Sequence, residues 1–349
     1  MFQFKTAFLS LLHISIWGAQ SIGQSPQHVV YYTNFYLGQH HFMDSSYAKS
    51  DSCFRIAFAL DSVQGFNQDY LMAAVNAHTL GDSRLAGYYL QRFSMRGGTY
   101  RNVREMMEHH IYLQQKSDAF RKFIYLPQNK RLRKTMDSCF RVYKSNVNKP
   151  LIARINRIGI KDQRYRTGWR SIFVSGKRRW RKIRVLDLEN RKEFLEICAE
   201  YGWPGFHLLG EFRETGRNAG TGQVEVLIRH ADGETLKKLE PYALDAIRKL
   251  DLYPEDWASA IDYCRIREPF NSDSTYWEHC QKYGWFGGNN WFGAEPGAIY
   301  PFGKAEVNKA DRTALFLCPI EDYAKLRGWK LPVHESWFMP KQPSGKPKL

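Results

Sequence analysis

His230 and the aspartates around it are the residues of this chain best suited to acid–base chemistry. His230 follows the apolar run Val224–Ile228, so we expect it at the edge of a core, whether that run is a strand or a helix. A histidine there can act as a general base near neutral pH, or it can be a core residue whose ring is satisfied by a backbone carbonyl. Asp162, Gln163 and Asp262 could line one cleft with it, and such a cleft would position a water molecule or bind a polar ligand.

The roles of Asp262 and Asp232 depend on how their segments are placed. Asp262 borders the predicted buried stripe of the helix after Pro254. A buried carboxylate needs partners, so an ion pair with Arg265, Arg164 or Arg166 is the alternative to a catalytic role. If the residues before His230 are helical, His230 and Asp232 point apart, because residues two positions apart do not share a helix face. They converge only if the helix ends at His230 and Asp232 belongs to the Asp-Gly turn that follows.

The most concentrated charge of the chain is the run KRRWRKIR, residues 177–184, in which six of eight residues are basic. The whole chain has a formal net charge of +16 and a pI of about 9.5. Such a run can bind a polyanion such as a nucleic acid, a lipopolysaccharide headgroup or an acidic glycan, or it can be a solvated loop. The cations concerned are Lys177, Arg178, Arg179, Arg181, Lys182 and Arg184.

No sequence pattern indicates a cofactor or a metal ion. The chain lacks the glycine patterns of phosphate and dinucleotide sites and the H-E-x-x-H pattern of zinc hydrolases. None of the six cysteines forms a C-x-x-C pair, so a zinc site is not indicated. In an oxidising compartment the cysteines could form disulfides, and otherwise they serve as small buried hydrophobic residues.

A helix that stops at a glycine and is followed by tryptophan occurs twice in the pattern of the sequence. The two copies are EYGWPGFHLLGE at residues 200–211 and KYGWFGGNNWFG at residues 282–293. For the first copy we predict a helix that begins at Asn190, where Asn190 and Glu193 form a capping box, and that ends at Gly202. The turn would then aim Trp203 into the core. The alternative is that Trp203 and Trp285 grip a ligand.

The segment Asp69–Phe93 has the pattern of a helical hairpin that turns at Gly81-Asp82. Gly81 suits the left-handed end of the first helix, and Ser83 can cap the second. Alanines at positions 73, 74, 77 and 86 would let the two helices approach closely. The hairpin resembles one tetratricopeptide unit, and a generic helical hairpin is the alternative. Residues 25–50 show no clear period, so we expect the helical pattern to begin only at Ser52.

The first 23 residues have the pattern of a secretory signal peptide. Lys5 precedes the mostly apolar stretch Ala7–Trp17, which is too short to span a bilayer, and small residues lead to a cleavage point near Gly23. We therefore expect an exported protein, periplasmic or extracellular, with no transmembrane segment. The alternative is an apolar helix that stays attached to the chain.

A series of short motifs follows in order between about Ile152 and Trp329: DQRYR (Asp162, Gln163, Arg166), DLEN (Asp187, Asn190), YGWP (Gly202, Trp203, Pro204), RHAD (His230, Ala231, Asp232) and the later Asp262. With these motifs, this part of the chain resembles a bacterial domain-of-unknown-function family, family 6624, whose members are often found behind signal peptides. Arg229 and Tyr263 stand where glutamine and arginine are usual in that family. The resemblance implies no particular reaction.

These features predict a mainly α-helical protein with two regions after the signal peptide (1–23). The first is a tetratricopeptide-like helical-hairpin region (24–150). The second is a mostly helical domain that could include short strands (151–335), and a flexible tail (336–349) follows it. We expect a module that binds a protein through the hairpins or binds the envelope. The alternative is a hydrolase-like enzyme that uses His230 with Asp262 or Asp162. Our candidate ligand-binding residues are Gln163, Arg166, Trp203 and Asp232.

Overall fold

The structure, a computed structural model, describes residues 27–59, 65–101, 103–108, 113, 116–166, 176–210, 221–267 and 312–317. Within those ranges the secondary structure is α-helical, with one 3-10 turn and no strand, so the prediction of a mainly α fold is confirmed. The short strands allowed for the second region do not occur in the described residues. The run Val224–Ile228, which alone fitted a strand or a helix, is helical.

Several predicted features lie outside the described residues and stay predictions. They are the signal peptide (1–23), the second glycine-tryptophan turn with Trp285 (282–293), Cys280, Cys318 and the tail (336–349).

The helices follow one another with short connections. The first seven are α1 (Gln27–Met43), α2 (Tyr47–Phe58), α3 (Asn67–Thr79), α4 (Ser83–Met95), α5 (Val103–Glu108), α6 (Ser117–Tyr125) and, after the 3-10 turn Pro127–Asn129, α7 (Lys130–Asn146). The remaining helices are α8 (Lys149–Gln163), α9 (Gly176–Tyr201), α10 (Phe206–Leu209), α11 (Thr221–Arg229), α12 (Gly233–Arg248) and α13 (Pro254–Arg267).

Helix α1 corrects the prediction that residues 25–50 lack a helical period. Its buried stripe is Tyr31, Phe35, Gly38 and Phe42, which follow one another at i, i+4, i+7 and i+11. Aromatic and aliphatic residues also occupy the other faces of the helix, and they hide the period in the sequence. Gly38 is required in this stripe, because a Cβ there would lie 2.6 Å from Cε1 of Phe54 on α2.

The hairpin predicted at Asp69–Phe93 is confirmed as the packed pair α3 and α4. All four alanines on its inner faces are fully buried, and Gly81 has φ +81° at the turn. The cap differs from the prediction. Asp82, rather than Ser83, accepts a hydrogen bond from the Leu85 backbone N–H at 2.8 Å. The tetratricopeptide resemblance of this hairpin stays a prediction.

One hydrophobic core runs through both predicted regions. Phe66 stacks on Tyr253 with ring centroids 3.9 Å apart, and the Tyr32 hydroxyl donates to the Ile247 carbonyl at 2.9 Å. The boundary predicted near Pro150 coincides with the start of α8, where Asn148 accepts from the Leu151 N–H at 3.0 Å. The core is therefore not divided at that boundary.

Three of the described cysteines, Cys53, Cys198 and Cys264, are buried as small core residues, and Cys139 is half-buried. Cys53, Cys139 and Cys198 carry free thiols. Burial raises the pKa of the Cys198 thiol to about 12, so this group is neutral and unreactive near neutral pH.

Helix α9 is much longer than the sequence pattern predicts. The prediction that a helix begins at an Asn190 cap is wrong, because the helix begins at Gly176 and Asn190 is buried in its middle. Glu193, the expected partner in the capping box, instead pairs with Arg154 at 3.4 Å. The inward stripe continues toward the N-terminus as Ile183, Asp187 and Asn190, and its two polar members conceal the period. The basic run 177–184 is consequently helical and not a loop.

Candidate functional site

The candidate site forms where the ends of α8 and α11 meet the middle of α9. Helix α8 buries Leu151, Ile155, Ile158 and Asp162, at i, i+4, i+7 and i+11, so Asp162 extends an apolar stripe. Its side chain is 1% exposed. Gly159, one turn earlier, lets α11 approach, since a Cβ there would collide with the side-chain oxygen of Gln223.

His230 is the first residue after α11 and contacts Asp162 directly. Its Nδ1 lies 2.7 Å from Oδ2 of Asp162, and its Nε2 accepts a hydrogen bond from Nε of Arg166 at 3.3 Å. These two contacts assign the ring hydrogen to Nδ1 and the ring lone pair to Nε2. The nitrogen that a general base would present to a substrate is therefore occupied by a guanidinium.

Arg166 joins this pair to a second buried carboxylate. Its Nη2 donates to both oxygens of Asp187, at 2.8 and 2.9 Å, and its Nε lies 3.8 Å from Oδ2 of Asp162. Burial raises the pKa of Asp187, and the nearby Arg166 charge only partly offsets that rise. The arginine thus stands between two aspartates that would otherwise repel each other.

Two amides complete the surroundings of Asp162. Gln163 donates to its Oδ2 at 2.8 Å, and Asn190 lies 3.5 Å from its Oδ1 through Nδ2. Asp162 therefore receives hydrogen bonds from three side chains, which is what a carboxylate at this depth requires.

We call the connected side chains of Asp162, Gln163, Arg166, Asp187, Asn190 and His230 the polar network. Arg191 extends this network to Asp232. One of its terminal nitrogens pairs with the Asp232 carboxylate, and the other donates to the His230 carbonyl at 3.0 Å. Asp232 also caps α12 by accepting from the Thr235 N–H at 2.9 Å. Burial alone would raise the pKa of Asp232, but the Thr235 hydrogen bonds and the Arg191 charge lower it overall. The predicted condition for bringing Asp232 near His230 is met, because α11 ends at Arg229.

A small cavity lies against this network. Its volume is about 10 Å³, on the order of the space that one water molecule needs. The lining includes Asp162, Asp187, Asn190, His230 and, on the apolar side, Leu239. Asn190 is 2% exposed and its Oδ1 has no hydrogen-bond partner. The cavity can therefore hold a single polar group, and in its present form it is too small for a larger ligand.

Two further sequence candidates, Trp203 and Asp262, are not among the described residues that line this cavity. Trp203 follows Gly202 (φ +74°), is 4% exposed, and packs edge to face on Phe194 and Trp257 with centroids 5.9 Å apart in both cases. This confirms that the turn aims Trp203 into the core. Asp262 is fully buried in α13 and is not one of the described residues that line the cavity.

The first half of α9 has one face held against the body and one face in solvent. On the inner side, Arg179 donates to the carbonyls of Tyr165 and Arg166 at 2.7 and 2.9 Å. Lys182 lies 5.0 Å from the centroid of the Tyr165 ring, and Ile183 is buried.

The outer side of this half forms what we call the basic stripe. Its members follow at i, i+3, i+4, i+7 and i+11 and are all exposed: Lys177, Trp180, Arg181, Arg184 and Leu188. Of the remaining cations of the basic run, Arg178 is also exposed, whereas Arg179 and Lys182 serve the inner side.

Sequence reasoning missed two members of the polar network. The sequence patterns mark Asp187 only as part of the motif DLEN, and they assign Arg191 no role. The spacing of Asp187 and Asn190 ahead of Phe194 was an available signal, because it continues the buried stripe of α9 toward the N-terminus. No such signal marks Arg191, whose partners both come from the turn between α11 and α12.

No family model, no curated protein and no solved structure matches the chain. Among the residues that the structure describes, no group of three histidine, cysteine, aspartate or glutamate side chains is placed to hold a metal ion. Within the same ranges, no helix combines the length and the apolar character that crossing a membrane needs.

Proposed function

We propose that the chain is an exported, non-catalytic module that binds an anionic partner of the cell envelope through the basic stripe on α9. The observation that carries this proposal is the stripe itself, in which three cations and two large apolar side chains share one exposed helix face. Export is part of this proposal, because a signal peptide would place the module at the envelope. The resemblance to family 6624, whose members are often found behind signal peptides, is proposed with it.

The location of these cations within their helix supports a binding role. The first two turns of α9 contain no acidic residue, although the N-terminus of a helix carries a partial positive charge that favours anions. The pairs Lys177–Arg181 and Arg178–Lys182 have the same charge at i and i+4, which destabilises a helix. A bound polyanion would offset both repulsions.

The internal pairing of the polar network argues against catalysis as the main role. Both ring nitrogens of His230 are engaged, by Asp162 and by Arg166, and the cavity has room for about one water molecule. The network joins α8, α9 and α11, so its evident role is to hold these helices together.

The test measures binding of the full chain to a soluble sulfated glycan and to anionic lipid vesicles at increasing salt concentration. We expect the triple variant Lys177→Gln, Arg181→Gln, Arg184→Gln to bind at least about tenfold more weakly than the wild type, and binding to weaken with salt. The control is Lys130→Gln, Arg131→Gln, Lys134→Gln, which removes the same charge from exposed positions on α7. An equal loss in both variants would show that only net charge matters and would contradict the proposal.

A hydrolase-like activity is the second candidate, and the 2.7 Å contact between His230 and Asp162 favours it. Asp162 would orient the ring, and His230 would take a proton from a water molecule once Arg166 moved away from Nε2. Asp262 is the weaker choice for the carboxylate, because it does not line the cavity.

A hydrolysis assay on ester, phosphoester and amide substrates distinguishes the non-catalytic module from the hydrolase-like enzyme. A module without catalytic activity gives no turnover that depends on His230. Turnover that His230→Gln abolishes, in a variant that keeps its unfolding midpoint, would establish the enzyme and displace the first proposal.

A further inference from the structure

We infer that the anionic partner of the basic stripe is the surface of a lipid bilayer, with Trp180 and Leu188 entering the interface between headgroups and acyl chains. This inference rests on the proposed function, because it assumes that the stripe binds an anion. It adds a partner class that the charge of the run does not specify.

The apolar members of the stripe carry the inference. Trp180 is 63% exposed and Leu188 is 68% exposed, and Val185 beside them is 54% exposed. Large apolar side chains interleaved with lysine and arginine are typical of helices that lie in the plane of a membrane surface. Tryptophan in particular favours the headgroup level, where its ring is partly apolar and its N–H remains hydrated. A soluble polyanion would satisfy the cations and leave these side chains in water.

The cations suit the same geometry. Lys177, Arg181 and Arg184 have long aliphatic stems, so their charged ends can reach phosphate oxygens while the neighbouring apolar side chains enter more deeply. Each such cation near an anionic leaflet adds attraction that decays over the Debye length. Charge and apolar burial therefore act on one helix face at the same time.

The helix is already held in the orientation that docking needs. Arg179 is bonded to the carbonyls of Tyr165 and Arg166, and Ile183 is 3% exposed on the opposite side. The stripe consequently points outward without any folding step. A preformed helix avoids the ordering cost that a disordered basic segment has when it binds.

Helix α7 shows that exposed cations alone do not make this surface. Lys130, Arg131 and Lys134 are exposed at its start, yet Val142 is the one large hydrophobic residue of α7 that is strongly exposed, at 60%. The basic start of α7 thus provides charge without an inserting aromatic side chain, and it serves as an internal control.

The experiment uses the full chain and vesicles of phosphatidylcholine, with and without phosphatidylglycerol, in a flotation assay. The soluble sulfated glycan is measured in parallel. Three variants are compared: Trp180→Ser with Leu188→Ser, the triple charge variant of α9, and Val142→Ser as the matched exposed control on α7. All substituted positions are exposed, so unfolding midpoints should stay close to the wild-type value. The wild type and all three variants carry the same N-terminal apolar segment, so any difference in vesicle binding between them is due to the substituted helix.

We expect the wild type to bind vesicles that contain phosphatidylglycerol and not those of phosphatidylcholine alone. The Trp180→Ser, Leu188→Ser variant should bind those vesicles about tenfold more weakly and leave glycan affinity unchanged, because it removes only the inserting side chains. The charge variant should lose both interactions, and Val142→Ser should change neither.

Each other outcome is decisive. The first such outcome is that the Trp180→Ser, Leu188→Ser variant (the apolar variant) binds vesicles as the wild type does, whereas the triple charge variant does not. The inference that Trp180 and Leu188 enter the bilayer is then overturned, and the proposed function stands. If the apolar variant loses vesicle and glycan binding equally, the stripe has no preference for lipid and the inference is also overturned. If the charge variant binds both partners normally, the proposed function itself fails.

Discussion

The polar network and the basic stripe share helix α9, and each uses the charged residues of that helix in a different way. Asp187 faces inward from α9 and is paired by Arg166 from the end of α8. Arg181 and Arg184 face outward and, in the part of the chain that the structure describes, form no ion pair. The direction of a side chain relative to the core therefore decides whether its charge is paired within the fold or remains available to a partner.

The largest expected difference between the inner and outer positions is in the stability effects of replacing Trp203 and Trp180. Trp203→Ala removes a side chain that is 4% exposed, and we expect the free energy of unfolding to fall by about 3–5 kcal/mol. Trp180→Ala removes one that is 63% exposed, and we expect a change within about 0.5 kcal/mol. Denaturant unfolding of both variants checks the pair. Similar losses would mean that Trp180 is covered in solution, and the basic stripe would then lack its aromatic member.

A second pair concerns the arginines of the two regions. Arg166→Met leaves Asp187 buried without its cation, and we expect a loss of about 3 kcal/mol. Arg184→Met, on the exposed face of α9, should cost less than about 0.5 kcal/mol. The measurement is again the free energy of unfolding. A small effect at Arg166 would show that the network does not hold α8 and α9 together.

Two carboxylates of the network should respond to pH in opposite directions. Burial raises the pKa of Asp187 above its ordinary value of 3.8, so the folded state holds that proton more tightly and stability attributable to Asp187 falls as pH rises above 3.8. The pKa of Asp232 is lowered below 3.8, so its contribution is present above that value and is lost as pH falls through the lowered pKa.

The variants Asp187→Asn and Asp232→Asn separate the two effects. Relative to each variant, the wild type should become less stable with rising pH in the Asp187 comparison and more stable in the Asp232 comparison. Unfolding curves across the acidic range give both slopes. Parallel slopes would contradict the assignment of one raised and one lowered pKa.

The smallest expected effect is that of Arg181→Glu, which should stabilise the fold slightly and weaken binding to anionic vesicles. Arg181→Glu replaces a like-charge pair with Lys177 by an attractive one, and we expect the free energy of unfolding to rise by about 0.3 kcal/mol. Binding to anionic vesicles should fall further than in a neutral Arg181→Gln variant. A loss of stability would show that Arg181 serves the fold, which would remove the distinction between the two regions.

Much of the local structure followed from sequence patterns. The α3–α4 hairpin was predicted from its alanines and Gly81, and the burial of Trp203 was predicted from the glycine stop before it. The predicted cleft grouped Asp162, Gln163, His230 and Asp262, and the structure brings the first three of these residues together but leaves Asp262 outside the lining of the cavity. The hairpin and the Trp203 turn were predictable because each depends on residues close in sequence and on the backbone conformation of one glycine.

Other features escaped because polar residues occupied buried positions. Asp187 and Asn190 concealed the first half of α9, and aromatic residues on every face concealed α1. The expected place of Asp262 in the cavity and the occupation of His230 Nε2 by Arg166 could not be judged from spacing. Each depends on where helices distant in sequence come to lie.

The sequence by itself determined that the chain is helical, where one hairpin turns, and that one short run concentrates positive charge. These properties are local, since they arise from helical periodicity, glycine conformations and composition. Only the tertiary structure decided which charges are paired and which face solvent. That outcome depends on the packing of α8, α9 and α11 around a shared core, because a helix has an inner and an outer face only after other helices have packed against it.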